Sequence, residues 1–229
     1  MVVAAPQASG PPYGQYHQVV PGSEPTVAPR RIGLLGGTFD PPHLGHTAAA
    51  LEARRSLALD LVVLVVANDP WQKTAEARAG EADVVSPAEV RLAMTRAAVA
   101  DTDGVHVDDL EIRRGGPSYT ADTLAHYAAV HPGAELFVLL GSDIAPGLDT
   151  WVRPDEVRRR ATIVVMRRPG FEQGRPPTGW EHQVLDGSFP DLASNHLRDR
   201  FAATGQIGDE VTAGVAEIIR ESGLYGVGR

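Results

Sequence analysis

Two imidazoles three residues apart, His43 and His46, follow a glycine pair in the run GLLGGTFDPPHLGH (residues 33–46). Arg31 to Leu35 read as a short apolar strand, Gly36 and Gly37 let a backbone approach a ligand where a Cβ would collide, and Leu44 to Leu57 read as a helix. An anion at this junction meets the N-terminus of a helix, where unpaired N–H groups and the positive end of the macrodipole favour phosphate. Both histidines are expected on one face of that helix. Such a site suits displacement at a nucleotide α-phosphorus, which needs positioning and electrostatic stabilisation more than a covalent intermediate. His43 and His46 would donate hydrogen bonds to phosphate oxygens. Zinc ligation is the competing reading, with Asp40 the one nearby third ligand. Glycines at 33, 36 and 37 do not match the GxGxxG spacing of a dinucleotide cofactor fold.

Composition narrows the choice. The chain has 229 residues, 21 Lys plus Arg, 29 Asp plus Glu and a net charge of −8, which argues against a general nucleic-acid surface. A phosphate site must therefore be locally basic. Absence of cysteine excludes disulfides, thiolate catalysis and thiolate-ligated metals. No apolar run approaches the roughly 18 residues that span a bilayer, and no secretory pattern precedes the first strand, so a cytoplasmic protein is expected. Residues 1–29 carry six prolines and no apolar periodicity and read as a disordered extension. Residues 30–229 are expected to form one domain.

These residues sit on an alternation of strands and helices. Strands are expected at 31–35, 61–66, 105–112, 135–140, 161–166 and near 183–185, with helices at 44–57, 87–100, 120–130 and 154–160. Ser86-Pro87-Ala88-Glu89 reads as a helix start with Ser86 at the cap. Ser194-Asn195 could cap a helix to about Ala203, and a last amphipathic helix spans Val211 to Ile219, closed by Gly223. Continuous Val/Leu runs such as 61–66 suit strands covered on both faces. The fold class is α/β, a Rossmann-like doubly wound parallel sheet with a C-terminal helical segment. Candidate residues fall after strands, where open α/β sheets bind ligands. Arg91, Arg113 and Arg114 read as exposed surface residues.

GGTFDPPHLGH resembles the signature of the HxGH nucleotidyltransferases, in the form carried by bacterial nicotinate-mononucleotide adenylyltransferases. Pro70-Trp71-Gln72-Lys73, the segment Gly116 to Thr120 with Asp122-Thr123-Leu124, the turn Gly141-Ser142-Asp143, Trp151 and the tail VAEIIRESGLY are similar to further motifs of that family. The resemblance implies transfer of AMP from ATP to nicotinate mononucleotide, giving nicotinate adenine dinucleotide and pyrophosphate, with Mg²⁺ held through the ATP phosphates. It implies that Gly36, Gly37, Thr38 and Phe39 lie along the ATP phosphates, with His43, His46, Lys73 and Arg198 at the reacting phosphates. It also places Asp143, after Gly141, at the adenosine ribose and Ser194 and Asn195 at the ATP-holding helix start. Tyr119 and Thr120 would bind the pyridine carboxylate, and Trp151 would stack on the pyridinium ring. Partners are then ATP and a pyridine mononucleotide, without nucleic acid or membrane, in a chain that could form a homo-oligomer.

Two segments depart from the family pattern. The hydroxyl-rich ISSTxIR helix start is here Leu192-Ala193-Ser194-Asn195-His196-Leu197-Arg198, and Val66-Ala67-Asn68-Asp69 replaces a common Val-Pro opening. Asp69 would bring negative charge near an anionic substrate. These changes leave open a paralogue that transfers a nucleotidyl group to nicotinamide mononucleotide or to another phosphorylated or phosphonate metabolite. A non-catalytic nucleotide-binding protein is the third reading.

Overall fold

The computed structural model describes residues 28–70, 85–167, 170–171, 173–187, 189–190 and 192–228. Its elements in chain order are β1 (Arg31–Gly37), α1 (Leu44–Ser56), β2 (Leu61–Val66), α2 (Ala88–Ala98), β3 (Val105–Asp108) and α3 (Leu110–Arg114). There follow α4 (Thr120–Val130), β4 (Glu135–Gly141), a 3-10 helix (Ala145–Thr150), α5 (Pro154–Arg160) and β5 (Ala161–Met166). The chain continues through β6 (His182–Leu185), α6 (Ser194–Thr204), α7 (Ala213–Ser222) and a 3-10 turn (Leu224–Gly226). The expected extension at 1–29 falls almost wholly outside the described residues.

All pairings in the sheet are parallel, and the strand order is β3-β2-β1-β4-β5-β6. This is the doubly wound order, in which the direction of winding reverses between β1 and β4 and opens a crevice at their carboxyl ends. Alternation along the Val/Leu runs explains why these strands carry no polar face. Val62, Leu64 and Val66 of β2 join a core with α1, α2, α6 and α7, while Val63 and Val65 join the opposite core with α4 and α5. Phe137 and Leu139 against Leu136, Val138 and Leu140 split β4 in the same way. Each face is dry, so each residue of such a strand contributes to burial.

Three expectations are corrected. The strand expected at 105–112 ends at Asp108, because Asp108 Oδ1 accepts the Leu110 N–H at 2.8 Å and turns the chain into α3. Ser86 does not cap α2: the cap position is Pro87, and the Ser86 N–H donates to Asp40 Oδ2 at 2.9 Å. Ala193 rather than Ser194 occupies the cap of α6, and the Ser194 hydroxyl donates to the Pro41 carbonyl at 2.9 Å. The last helix begins as its pattern implies, with the Thr212 hydroxyl accepting from the Val215 N–H, and it ends on Gly223 in the left-handed conformation. Among the described residues no helix is long and apolar enough to cross a membrane.

The C-terminal segment braces the loop after β1. Tyr225 donates its hydroxyl to Asp40 Oδ1, and the Arg198 guanidinium donates to the Asp40 carbonyl at 2.9 Å. Asp40 is 4% exposed, so its carboxylate depends on the Tyr225 hydroxyl and the Ser86 N–H. Burial, and then the charge of Asp40, push the Tyr225 phenol above its ordinary range, keeping it a donor at every physiological pH. Tyr225→Phe is expected to destabilise the protein by about 1–3 kcal/mol, the cost of leaving a buried acceptor one donor short. Urea unfolding of the two proteins checks this, and equal midpoints would remove the brace.

Candidate active site

The crevice at the carboxyl ends of β1 and β4 is a cavity of about 700 Å³. Every described residue that the resemblance assigns to ATP, the acceptor or the reacting phosphates lines it: Gly36, Gly37, Thr38, Phe39, His43, His46, Tyr119, Thr120, Gly141, Asp143, Trp151, Ser194, Asn195 and Arg198. Lys73 lies outside the described residues.

Its floor is the turn from β1 into α1. His43 is the cap residue of α1, extended at φ −138°, rather than a helical residue, and His46 stands in the first turn. The His43 N–H donates to His46 Nδ1 at 3.1 Å, and the two rings stack with centroids 3.7 Å apart. An Nδ1 that accepts a hydrogen bond carries a lone pair, so the ring proton of neutral His46 sits on Nε2. The backbone of one histidine thus fixes the tautomer of the other. Gly45, the third residue of the motif, is required by packing: a Cβ there would lie 2.9 Å from His43 Nδ1 and 3.3 Å from the Pro190 carbonyl.

The two glycines before the turn have different tasks. A Cβ on Gly36 would meet nothing within 4 Å and would stand in open space at the cavity, whereas one on Gly37 would come within 2.7 Å of the Phe39 ring. Phe39 is 2% exposed and packs edge-on to His46 with centroids 5.0 Å apart. Its backbone is left-handed at φ 52°, a conformation that costs a non-glycine residue about 1–3 kcal/mol and clusters at functional sites. Phe39 therefore packs as a wall under His46 and closes the side of Gly37, and the turn is open to the cavity at Gly36. The Asp40 carboxylate, considered above as a zinc ligand, is directed to the Ser86 N–H and the Tyr225 hydroxyl instead. Among the described residues no group of three or more His, Asp or Glu is arranged to hold a metal ion.

A second wall is built from loops that hold one another. The Asn68 N–H donates to Ser118 Oγ and its side chain to the Gly116 carbonyl, both at 2.9 Å. The Ser118 N–H donates to the Asp69 carbonyl at 2.9 Å, and Asp69 pairs with Pro117 in a parallel bridge. Tyr119 and Thr120 are thereby presented at the start of α4. Asp69 itself is not among the residues lining the cavity, so the negative charge anticipated from the sequence is held to one side. Trp151 faces the cavity while packing against the core beside it. Its loop is tied to α4 by Arg153, which donates to Asp122 at 2.5 Å, and is backed by Trp180, whose indole N–H donates to Asp149 at 2.8 Å.

The third wall joins the end of β4 to α6. The Ser142 N–H donates to the Met166 carbonyl at 2.9 Å, which anchors the turn carrying Asp143. Arg198 reaches back from α6 to the Asp40 carbonyl, and five N–H donors on one guanidinium let it serve that loop and an oxyanion together.

Two residues of the site were misread or missed in the sequence. Arg91 is 1% exposed rather than a surface residue, and it donates to the carbonyls of Ser86 at 2.8 Å, Thr38 at 2.8 Å and Asn68 at 3.0 Å. Burial lowers its pKa, a shift opposed by the charge of Asp40. Glu111, buried in the cavity wall, accepts the Thr123 hydroxyl at 2.5 Å. Arg113 is engaged with Asp108 and Asp109.

Gly36→Ala is expected to leave the unfolding midpoint near that of the parent, because the added Cβ meets no protein atom within 4 Å, while it cuts ATP affinity by about 1.4 kcal/mol or more, at least tenfold. Calorimetric titration with ATP beside thermal unfolding reads both, and parent-like affinity would show that the backbone at Gly36 does not meet the nucleotide.

A family model described as cytidylyltransferase-like matches residues 34–204. A protein of Saccharopolyspora erythraea named "Probable nicotinate-nucleotide adenylyltransferase" is 38% identical over 197 residues, covering 86% of this chain and 90% of its own. A protein of the same name from Thermus thermophilus is 37% identical over 197 residues, covering 85% of this chain and 99% of its own. In fold, the chain is similar to the Plasmodium falciparum nicotinic acid mononucleotide adenylyltransferase complexed with NaAD, with a TM-score of 0.68 at 16% identity over 86% of this chain and 98% of that one. The stacked histidine pair, the glycine-lined crevice and these relatives agree, and the chain belongs to the nicotinate-nucleotide adenylyltransferases of the cytidylyltransferase-like family.

Proposed function

We propose that this protein transfers AMP from ATP to nicotinate mononucleotide, releasing pyrophosphate. The observation that carries the reading is one cavity combining a histidine pair at a helix start with Trp151, Tyr119 and Thr120 at another wall. An oxygen of the mononucleotide phosphate attacks the α-phosphorus of ATP, the bond from that phosphorus to the bridging oxygen breaks, and pyrophosphate leaves with the electron pair. His46, with its proton on Nε2, donates to a phosphate oxygen as charge moves onto the leaving group. His43 holds that tautomer through its N–H and adds its own ring to the stack. The helix start and Arg198 supply the remaining positive potential in a chain that is acidic overall.

Magnesium enters as part of the nucleotide, bound to its phosphates. The described walls offer imidazole, hydroxyl, guanidinium and backbone donors, and their carboxylates, Asp40, Glu111 and Asp143, are not grouped for a metal among the described residues, which fits an ion carried by the substrate phosphates. Lys73 would add a further positive charge at the same phosphates. Asp69 standing aside from the cavity, and the start of α4 offering N–H donors beside Trp151, favour the pyridine carboxylate over the carboxamide.

Pyrophosphate release with MgATP is expected to depend on an acceptor and to be much faster with nicotinate mononucleotide than with nicotinamide mononucleotide. Equal rates with both would overturn the acceptor assignment, and nucleotide binding without release would support a protein that only binds. His46→Ala is expected to lower kcat by about 10²–10⁴, the range for a positioned proton donor, at unchanged thermal stability. Trp151→Ala is expected to raise KM for the pyridine nucleotide far more than KM for ATP, and an equal rise in both would leave Trp151 a packing residue.

A further inference from the structure

Glu111 is a buried carboxylate in the wall of the reaction cavity, and neither the phosphate chemistry nor the resemblance gives it a task. It belongs to α3, the short helix that replaces the expected end of a strand, and it lines the same cavity as Tyr119, Thr120 and Trp151. One carboxylate oxygen is fixed by the Thr123 hydroxyl at 2.5 Å, and Thr123 is itself 3% exposed on α4. The side chain is therefore oriented by a neutral donor. Among the described residues no lysine or arginine forms an ion pair with it, although the neighbouring Arg113 pairs with Asp108 and Asp109. A carboxylate placed in a cavity wall without a cationic partner among the described residues raises the question of what neutralises it, since a buried charge is normally paired.

We infer that Glu111 is a specificity-determining charge, the counterpart of the positively charged pyridinium ring of the acceptor. This rests on the acceptor assignment above. A pyridinium mononucleotide carries its positive charge on the ring that Trp151 would stack against, so an aromatic face and a fixed carboxylate act on the same cation. The ring's own carboxylate is served by a different feature, the N–H groups at the start of α4. The site thereby selects the oxidation state of the ring as well as its substituent: the dihydropyridine form, equal in size and neutral in the ring, gains nothing from Glu111.

The experiment compares wild type with Glu111→Gln, a replacement that keeps the volume and still accepts the Thr123 hydroxyl while losing the charge. Pyrophosphate release is measured with MgATP and either nicotinate mononucleotide or its 1,4-dihydro form. Wild type is expected to favour the pyridinium form by at least about tenfold in kcat/KM, as expected for an ion pair in a partly desolvated site. In the Gln variant that ratio is expected to fall towards one, with KM for ATP unchanged. A ratio equal in the two proteins, or a wild-type ratio of one, overturns the inference, and the second criterion needs no variant to fold. A wild type that turns over no pyridine mononucleotide would overturn the acceptor assignment together with this inference, whereas turnover with a ratio of one overturns this inference alone.

Discussion

Arg91 reaches from the first turns of α2 into the space beneath the cavity and gives each of its nitrogens a different carbonyl: Ser86 before its own helix, Thr38 after β1 and Asn68 after β2. Those three segments approach one another at the carboxyl end of the sheet, where the ladder has ended and their backbone carbonyls have lost strand partners. A buried carbonyl left without a donor is costly, and loops at a crevice cannot be hydrated freely without filling the site with ordered water. One guanidinium solves this for three loops at once because its donors lie in a fixed plane and diverge. Asp40 lies close enough to oppose the effect of burial on Arg91, but its oxygens face Ser86 and Tyr225. The cation and the carboxylate thus make two interlocking sets of bonds around the Ser86 peptide, one to its carbonyl and one to its N–H.

From that anchorage the chemical groups acquire their positions. Thr38, held at its carbonyl, leads into the left-handed Phe39, whose ring supports His46 from below. Asn68, held likewise, carries the side chain and N–H that fasten the Gly116 to Ser118 loop, and that loop presents Tyr119 and Thr120. The wall that carries the histidines and the wall that carries Tyr119 and Thr120 are therefore coupled through side chains that bind backbone groups, Arg91 and Asn68 above all.

The sheet was legible because its signals are local. Runs such as LVVLVV report burial on both faces, and the alternation of these runs with helical patterns implies a parallel order. The histidine pair was legible for the same reason, since two imidazoles flanking a helix start are adjacent in sequence. Arg91 and Glu111 were not, because each gains its meaning from partners 53 and 12 residues away, Thr38 and Thr123. An arginine within an amphipathic helix and a glutamate in a charged stretch look like ordinary surface residues until the topology brings loops over them. The misread strand end has a similar cause: apolar alternation through Leu110 and Ile112 is compatible with strand or helix, and the side chain of Asp108 decides by accepting the Leu110 N–H. Ser86 shows the converse, a well-formed cap sequence whose N–H is claimed by a distant carboxylate.

The altered segment before Arg198 shows how a binding surface can lose side-chain hydroxyls and keep its character. Ser194 directs its hydroxyl proton to the Pro41 carbonyl, so it joins α6 to the loop after β1. Its oxygen keeps lone pairs but offers no second proton, so under the proposed function phosphate recognition here would fall to groups that helix geometry itself supplies. The first N–H groups of any α-helix lack intrahelical acceptors and point out of its start, and the peptide dipoles behind them add positive potential. Asn195 and Arg198 stand at that end of α6, and Arg198 shares its guanidinium with Asp40. A helix start pinned by Ser194 and Arg198 to the segment that holds the histidines keeps the starts of α1 and α6 in one frame, and under the phosphate roles proposed above such a fixed relation would matter more to an in-line displacement than any single hydroxyl.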